Sequence, residues 1–175
     1  MRKRKLVISI LLHALFLISV YTLQGVILPF LRINGLVPLL LPIASAGIAL
    51  YEGRITGGIA GLFAGILCDI SFNQPAGVFT VFLTLTGLFI GTLADAYILR
   101  GFVIYYITCA FILILSAFVQ IFPHLLTFDE IPMQSLMSTA IQQTIYSLIL
   151  AFPIWFFVRA LGKHAERFTP SGRPV

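Results

Sequence analysis

Two aspartates, Asp69 and Asp95, stand at the ends of long apolar stretches of this sequence, and they are the first residues to test for chemistry. An ionisable side chain placed in hydrocarbon is costly, so one that persists there has a partner or carries a proton or cation. Proton pumps line up a second carboxylate or a chain of histidines, and neither is present beside these two. A structural role is therefore the expectation. Each aspartate closes an apolar run, where the macrodipole of its own helix disfavours negative charge. Relief is expected from Arg100 for Asp95, and from Arg32 or the Asn73-Gln74 turn for Asp69. His13, His124 and His164 are scattered, with no HxxxH or HExxH spacing, so no metal site is expected. His13 lies within the first apolar run and is read as hydrogen-bonded to a neighbouring helix. Cys68 and Cys109 are both inside apolar runs without a CxxC pair, and read as small packing residues. No Ser/His/Asp grouping, phosphate-cradling loop or pair of acids in an aqueous loop is visible. Neither catalysis nor a cofactor is expected.

The elements that must hold these residues are apolar helices. Hydrophobic residues make up 59% of the chain and charged residues only 10%. A soluble domain carries roughly 25% charged residues, so much of this surface faces lipid. A bilayer core needs about 20 apolar residues of helix. On that scale the expected fold is all-α: a single polytopic membrane bundle over residues 1–175, with about six transmembrane helices. They are read at about 6–30, 36–51, 55–70, 79–98, 102–122 and 137–158, the fifth ending at Pro123, with a basic tail over 159–175. The basic start, Met1-Arg-Lys-Arg-Lys5, precedes an apolar run too long for a signal-peptide core, and is read as a retained first helix.

Charge supports the count. With both chain ends on one side, that side holds Arg2, Lys3, Arg4, Lys5, Arg54, Arg100, Arg159, Lys163, Arg167 and Arg173, and the other holds Arg32. Lys and Arg flanking short loops stay cytoplasmic during insertion, so both ends are expected inside. Arg2, Lys3, Arg4 and Lys5 at the start, with Arg159, Lys163 and Arg167 at the end, are the expected basic anchors. Anionic lipid is their ordinary partner. The cations lie between and outside the apolar runs rather than in a stripe with aromatics, which argues against nucleic acid.

The third run carries Gly57, Gly61 and Gly65, with Ala60, Ala64 and Cys68 at the same spacing. Residues four apart share a helix face, and small ones let a neighbouring backbone approach closely in lipid. Intramolecular packing is the ordinary reading, and a partner's helix on one small-residue face the sharper one. A related string follows 26 residues later. Gly61-Leu-Phe-Ala-Gly-Ile-Leu-Cys-Asp69 and Gly87-Leu-Phe-Ile-Gly-Thr-Leu-Ala-Asp95 agree at six of nine positions, including Gly87 and Gly91. Opposed repeats are a transporter device, yet Gly/Leu-rich helices converge easily and no longer repeat surrounds this one.

Several of these features occur together in a known family. A basic start leads to Val37-Pro-Leu-Leu-Leu41-Pro42, then to the Gly-rich run ending Gly65-Ile-Leu-Cys-Asp69. Pro75-Ala-Gly77 opens the fourth run, and Gln142-Gln-Thr-Ile-Tyr-Ser-Leu-Ile-Leu-Ala-Phe-Pro153 leads to a basic end. The chain resembles the rod-shape-determining protein MreD family over nearly its whole length, although the position that is often Asn before the last Leu-rich stretch is Ser147 here. The resemblance implies a non-enzymatic scaffold of the cell-elongation, peptidoglycan-inserting complex in the bacterial inner membrane. It implies MreC, MreB and the wall-synthesising glycosyltransferase and transpeptidase as partners. The other function weighed is the substrate-binding membrane component of an energy-coupling-factor vitamin transporter. That reading needs a polar pocket near the outer side, for which Asn73, Gln74, Gln142 and Gln143 are the sparse candidates.

Overall fold

The computed structural model describes residues 2–31, 37–72, 77–97, 101–127 and 133–168. Among them it is a helical membrane bundle of six α-helices. They are α1 (Arg2–Thr22), α2 (Leu40–Glu52), α3 (Arg54–Phe72), α4 (Val78–Tyr97), α5 (Phe102–Thr127) and α6 (Met133–Phe168). Five of the six are long and apolar enough to cross a membrane, and α2 is the short one. The chain is therefore a multi-pass membrane protein.

Successive helices alternate in direction. One end of the bundle gathers the starts of α1, α3 and α5 with the ends of α2, α4 and α6. It is called the basic end here, because Arg54 and Arg159 stand there with the first residues of α1. The far end holds the end of α3, the start of α4 and the start of α2.

The shortest helix is the most buried. Every residue of α2 from Leu40 to Leu50 is buried, with α1, α3, α4, α5 and α6 all packed against it. Thirteen residues of helix reach only about 20 Å, too little for a membrane core of about 30 Å. Val37, Pro38 and Leu39 enter the helix in non-helical form and supply about 10 Å more. Non-helical backbone at membrane depth is tolerated only inside protein, which is where these three residues lie.

Helix limits depart from the apolar runs: α2 starts at Leu40, four residues into its run, and α6 already at Met133. The first run does not continue as one α-helix: after Thr22 it passes into a π-helical turn, Leu23–Ile27, and a 3-10 turn, Leu28–Leu31. α5 runs through Pro123 to Thr127, since proline is tolerated within membrane helices. α6 extends through Phe168, so Arg159, Lys163 and Arg167 belong to a helix and not to a separate tail. Residues 169–175 lie outside the described residues, as does Pro75.

Candidate functional site: a sealed central helix and a two-fold hairpin

The start of α2 is a demanding place in the molecule. A helix beginning inside a bundle leaves N–H groups with no acceptor of their own, and burying them unpaired is costly. Here each is met. Ser147 Oγ on α6 accepts the Leu39 N–H at 2.8 Å. Gln24 Oε1 accepts those of Leu40 and Leu41, at 3.0 and 3.3 Å. Pro38 and Pro42 have no N–H to satisfy. Gln143 Nε2 donates to the Val37 carbonyl at 2.8 Å. Gln24 reaches this point from the π-helical turn, whose extra residue per turn rotates a side chain out of its α-helical register. The helix start is thus closed by side chains from both neighbours.

That closure bears on the polar residues considered for a ligand pocket. Gln143 is spent on the α2 lead-in, Gln142 is exposed on α6, and Asn73 and Gln74 lie outside the described residues. A cleft of about 320 Å³ does open between α5 and α6 toward the far end. Its walls are Ile114, Ala117, Phe118, Met137, Ala140, Ile141 and Ile145, with Thr144 the one polar residue. A vitamin's polar groups would find little there.

The second feature is the α3–α4 hairpin, and its glycines explain it. A Cβ on Gly61 would run into the Leu83 carbonyl, and one on Gly87 into the Gly57 carbonyl. A Cβ on Gly65 would meet the Thr80 Cα, and one on Gly91 would come within 2.6 Å of the Arg54 Cα. On the other side of α3, a Cβ on Gly57 would lie 2.6 Å from the Cβ of Ala49 on α2. The two backbones touch directly, so hydrogen in place of a side chain is a steric requirement. Ala60, Ala64 and Cys68, the second small-residue face, are buried within the bundle as well.

Both aspartates close this hairpin. Asp69 Oδ2 accepts the N–H groups of Gly77 (3.0 Å) and Thr80 (3.1 Å) and the Thr80 hydroxyl (2.6 Å), while Oδ1 accepts the Phe79 N–H (2.9 Å). At the opposite end Asp95 Oδ2 accepts the Arg54 N–H at 3.1 Å, beside Gly53, whose φ of 88° suits glycine. Each aspartate ends one helix and caps the start of the antiparallel neighbour, where the macrodipole favours an anion. The described partners of Asp69 are Gly77, Phe79 and Thr80, and the described backbone partner of Asp95 is Arg54. The expected partners Arg32, Asn73, Gln74 and Arg100 lie outside the described residues.

The contacts are related in pairs. A shift of 26 residues carries Gly61, Gly65 and Asp69 onto Gly87, Gly91 and Asp95, and carries their partners Gly57 and Arg54 onto Leu83 and Thr80. The repeated string therefore does the same job twice, about a local two-fold axis across the hairpin. Gly77, with φ of 100°, makes the entry into α4 at the far end.

At the basic end α6 is tied to α2 and α5 through aromatic groups. Trp155 Nε1 donates to the Tyr51 hydroxyl at 2.9 Å, Phe102 packs edge-on against Trp155, and the Arg159 guanidinium lies 5.0 Å from the Trp155 ring centre. Tryptophan and tyrosine favour the membrane–water boundary, so this cluster marks its level. Among the described residues no three His, Cys, Asp or Glu side chains gather to hold a metal ion.

A buried half-length helix sealed at its start, a hairpin ending in Asp and the order of the elements all lie within residues 3–164. Those residues match the sequence model of the rod shape-determining protein MreD. The chain belongs to the MreD family. No curated protein and no solved structure gives a significant match. Membership assigns a role in rod-shape determination, in a family of shape-determining membrane proteins and not a known class of enzymes. Of the residues singled out by spacing, Gly57, Gly61, Gly65, Asp69, Gly77, Gly87, Gly91 and Asp95 meet in one hairpin. Gln24 and the Ser147 cap were not found by spacing. The one signal for Ser147 was its position where the family often carries Asn, another side chain able to accept an N–H.

Proposed function

We propose that this chain is a non-enzymatic scaffold subunit of the cell-elongation complex that inserts peptidoglycan, held in the bacterial inner membrane with both ends in the cytoplasm. The observation that carries the reading is membership of a rod shape-determining family over residues 3–164. The architecture is compatible with it. The interior is used up by packing: the start of α2 is capped by Gln24 and Ser147, and the α3–α4 seam is closed backbone to backbone. What remains for interaction is the lipid-facing side of the helices and the short segments at either end. The partners in this reading are MreC, MreB and the wall-synthesising glycosyltransferase and transpeptidase, with anionic lipid at the basic end. Ten of the eleven Lys and Arg residues fall on one side when the helices alternate, and that side is the cytoplasmic one by the positive-inside rule.

Depletion of the protein in its rod-shaped host, together with in-membrane photocrosslinking from exposed positions of each helix, tests the proposal. Depleted cells should round up, and a bitopic partner should be captured. Cells that stay cylindrical through depletion would refute the role. Reporter fusions at the two termini should both read cytoplasmic, and opposite readings would refute the orientation.

A further inference from the structure

The α5–α6 pair leaves a cleft that its own side chains do not fill. At the basic end Phe102 stands against Phe152 and Trp155 and spaces the two helices. Toward the far end short side chains follow. Half-buried Ala117 on α5 and Ala140 on α6 form the floor of the cleft, and exposed Ile114, Phe118, Ile141 and Ile145 stand along its sides. Its volume is about 320 Å³. The cleft begins near the membrane boundary, where the apolar stretch of α5 ends at Gln120 and that of α6 starts at Met137. From Met137 to Ile145 it runs about 12 Å along the helix, most of the roughly 15 Å that half a bilayer core measures. It is a furrow through one leaflet.

We infer that this cleft is a binding site for one acyl chain of a bilayer phospholipid, lying parallel to α5 and α6. Three observations choose that occupant. The cleft is continuous with the lipid-facing surface, since the residues along its sides are themselves exposed. Its lining offers one polar side chain, Thr144, so a ligand held by charge or by several hydrogen bonds finds no grip. It is also too small to seat a helix. A helix about 10 Å across would need about 900 Å³ over the same 12 Å or so of length. A hydrocarbon chain is slimmer and bends around the side chains. Left empty, the cleft would forfeit van der Waals contact on both walls, and in lipid that contact is what apolar groups have to gain. A chain seated between two helices touches protein on three sides, against one on an open helix face. The inference rests on the membrane-spanning fold and not on the scaffold role, so either can fail alone.

The probe is phosphatidylcholine carrying a photoreactive diazirine midway along one acyl chain, in nanodiscs with the full chain. Its headgroup has no net charge, so the basic end does not attract it. Adducts mapped by peptide mass spectrometry should fall several-fold more often on residues 114–118 and 137–145 than on Val81 and Leu85, exposed residues of α4 toward the same end. Equal labelling of these segments overturns the inference without recourse to any variant. Ala140→Leu raises the floor of the cleft and should abolish the excess while the α4 adducts stay as they were. A folded Ala140→Leu chain that keeps the excess also overturns it. In cell membranes, a photocrosslinking side chain in place of Phe118 should capture lipid. A protein adduct there instead, from a second copy or a partner's helix, would overturn the acyl-chain site and leave the scaffold role standing.

Discussion

Two antiparallel helix pairs in this bundle are joined by opposite means. In α3–α4 the backbones touch: Gly61 and Gly65 face α4 backbone, and Gly87 and Gly91 face α3 backbone, with an aspartate cap at each end. In α5–α6 the helices are spaced by rings at the basic end, Phe102 against Phe152 and Trp155, and stand apart at the far end around a cleft of about 320 Å³. In water both would count as hydrophobic packing. In lipid, apolar surface gains little by leaving the hydrocarbon, so close van der Waals fit and satisfied polar groups decide which pair is rigid. The hairpin has both and is the stiff half of the molecule. Among the described residues the α5–α6 pair opens at its far end on an apolar cleft, and it is the half with room to adapt.

The sharpest way to break this contrast is to add one carbon where the backbones meet. Gly61→Ala directs a methyl at the Leu83 carbonyl, which cannot rotate away, so the whole helix has to move. A loss of about 3 kcal/mol is expected, at the upper end of overpacking costs. Unfolding in mixed detergent micelles, followed by the single tryptophan Trp155, measures it. Wild-type stability in Gly61→Ala would mean that the hairpin is not held by backbone contact.

The caps separate the two ends of the hairpin. Asp69→Ala strips an acceptor from three backbone N–H groups and a hydroxyl in a half-buried setting, and should cost about 2 kcal/mol, at the upper end for a lost helix cap. Asp95→Ala acts at an exposed residue where water can replace the carboxylate, and should cost about 1 kcal/mol or less. The same unfolding experiment ranks them. Equal losses would show that the local two-fold symmetry extends to energetics, and that exposure does not distinguish its ends.

How much of this was legible in the residues follows from range. Glycines four apart announce a close backbone approach whatever the neighbour is, so the α3 face could be read from its own run. The backbone partners of the aspartates could not, because each carboxylate was weighed against the dipole of its own helix while these N–H groups begin the neighbouring one. His13 and Glu52 are 39 residues apart, and Ser147 and Leu39 are 108 apart, so only the assembled bundle pairs them. The π-turn left no mark beyond Gln24-Gly25 in an apolar run. Pro123 was read as a stop, but in lipid a proline within a helix is common where neighbours cover the freed carbonyl. Short-range chemistry was readable, then, and pairing between helices was not.

The smallest effect belongs to the looser pair, and it carries the comparison furthest. Ala140 lines the α5–α6 cleft, and Ala140→Leu adds three carbons there against the single carbon of Gly61→Ala. If the cleft is open space facing hydrocarbon, the larger side chain replaces lipid contact with protein contact and little changes. The expected shift is within about 0.5 kcal/mol in either direction, as for substitutions outside packed or polar-paired positions. Three carbons would then cost less than one, and carbon count would be excluded as the cause of the Gly61 effect. A loss near that of Gly61→Ala would mean instead that α5 and α6 close against each other in the membrane. The stiff half of the molecule would then include all four helices.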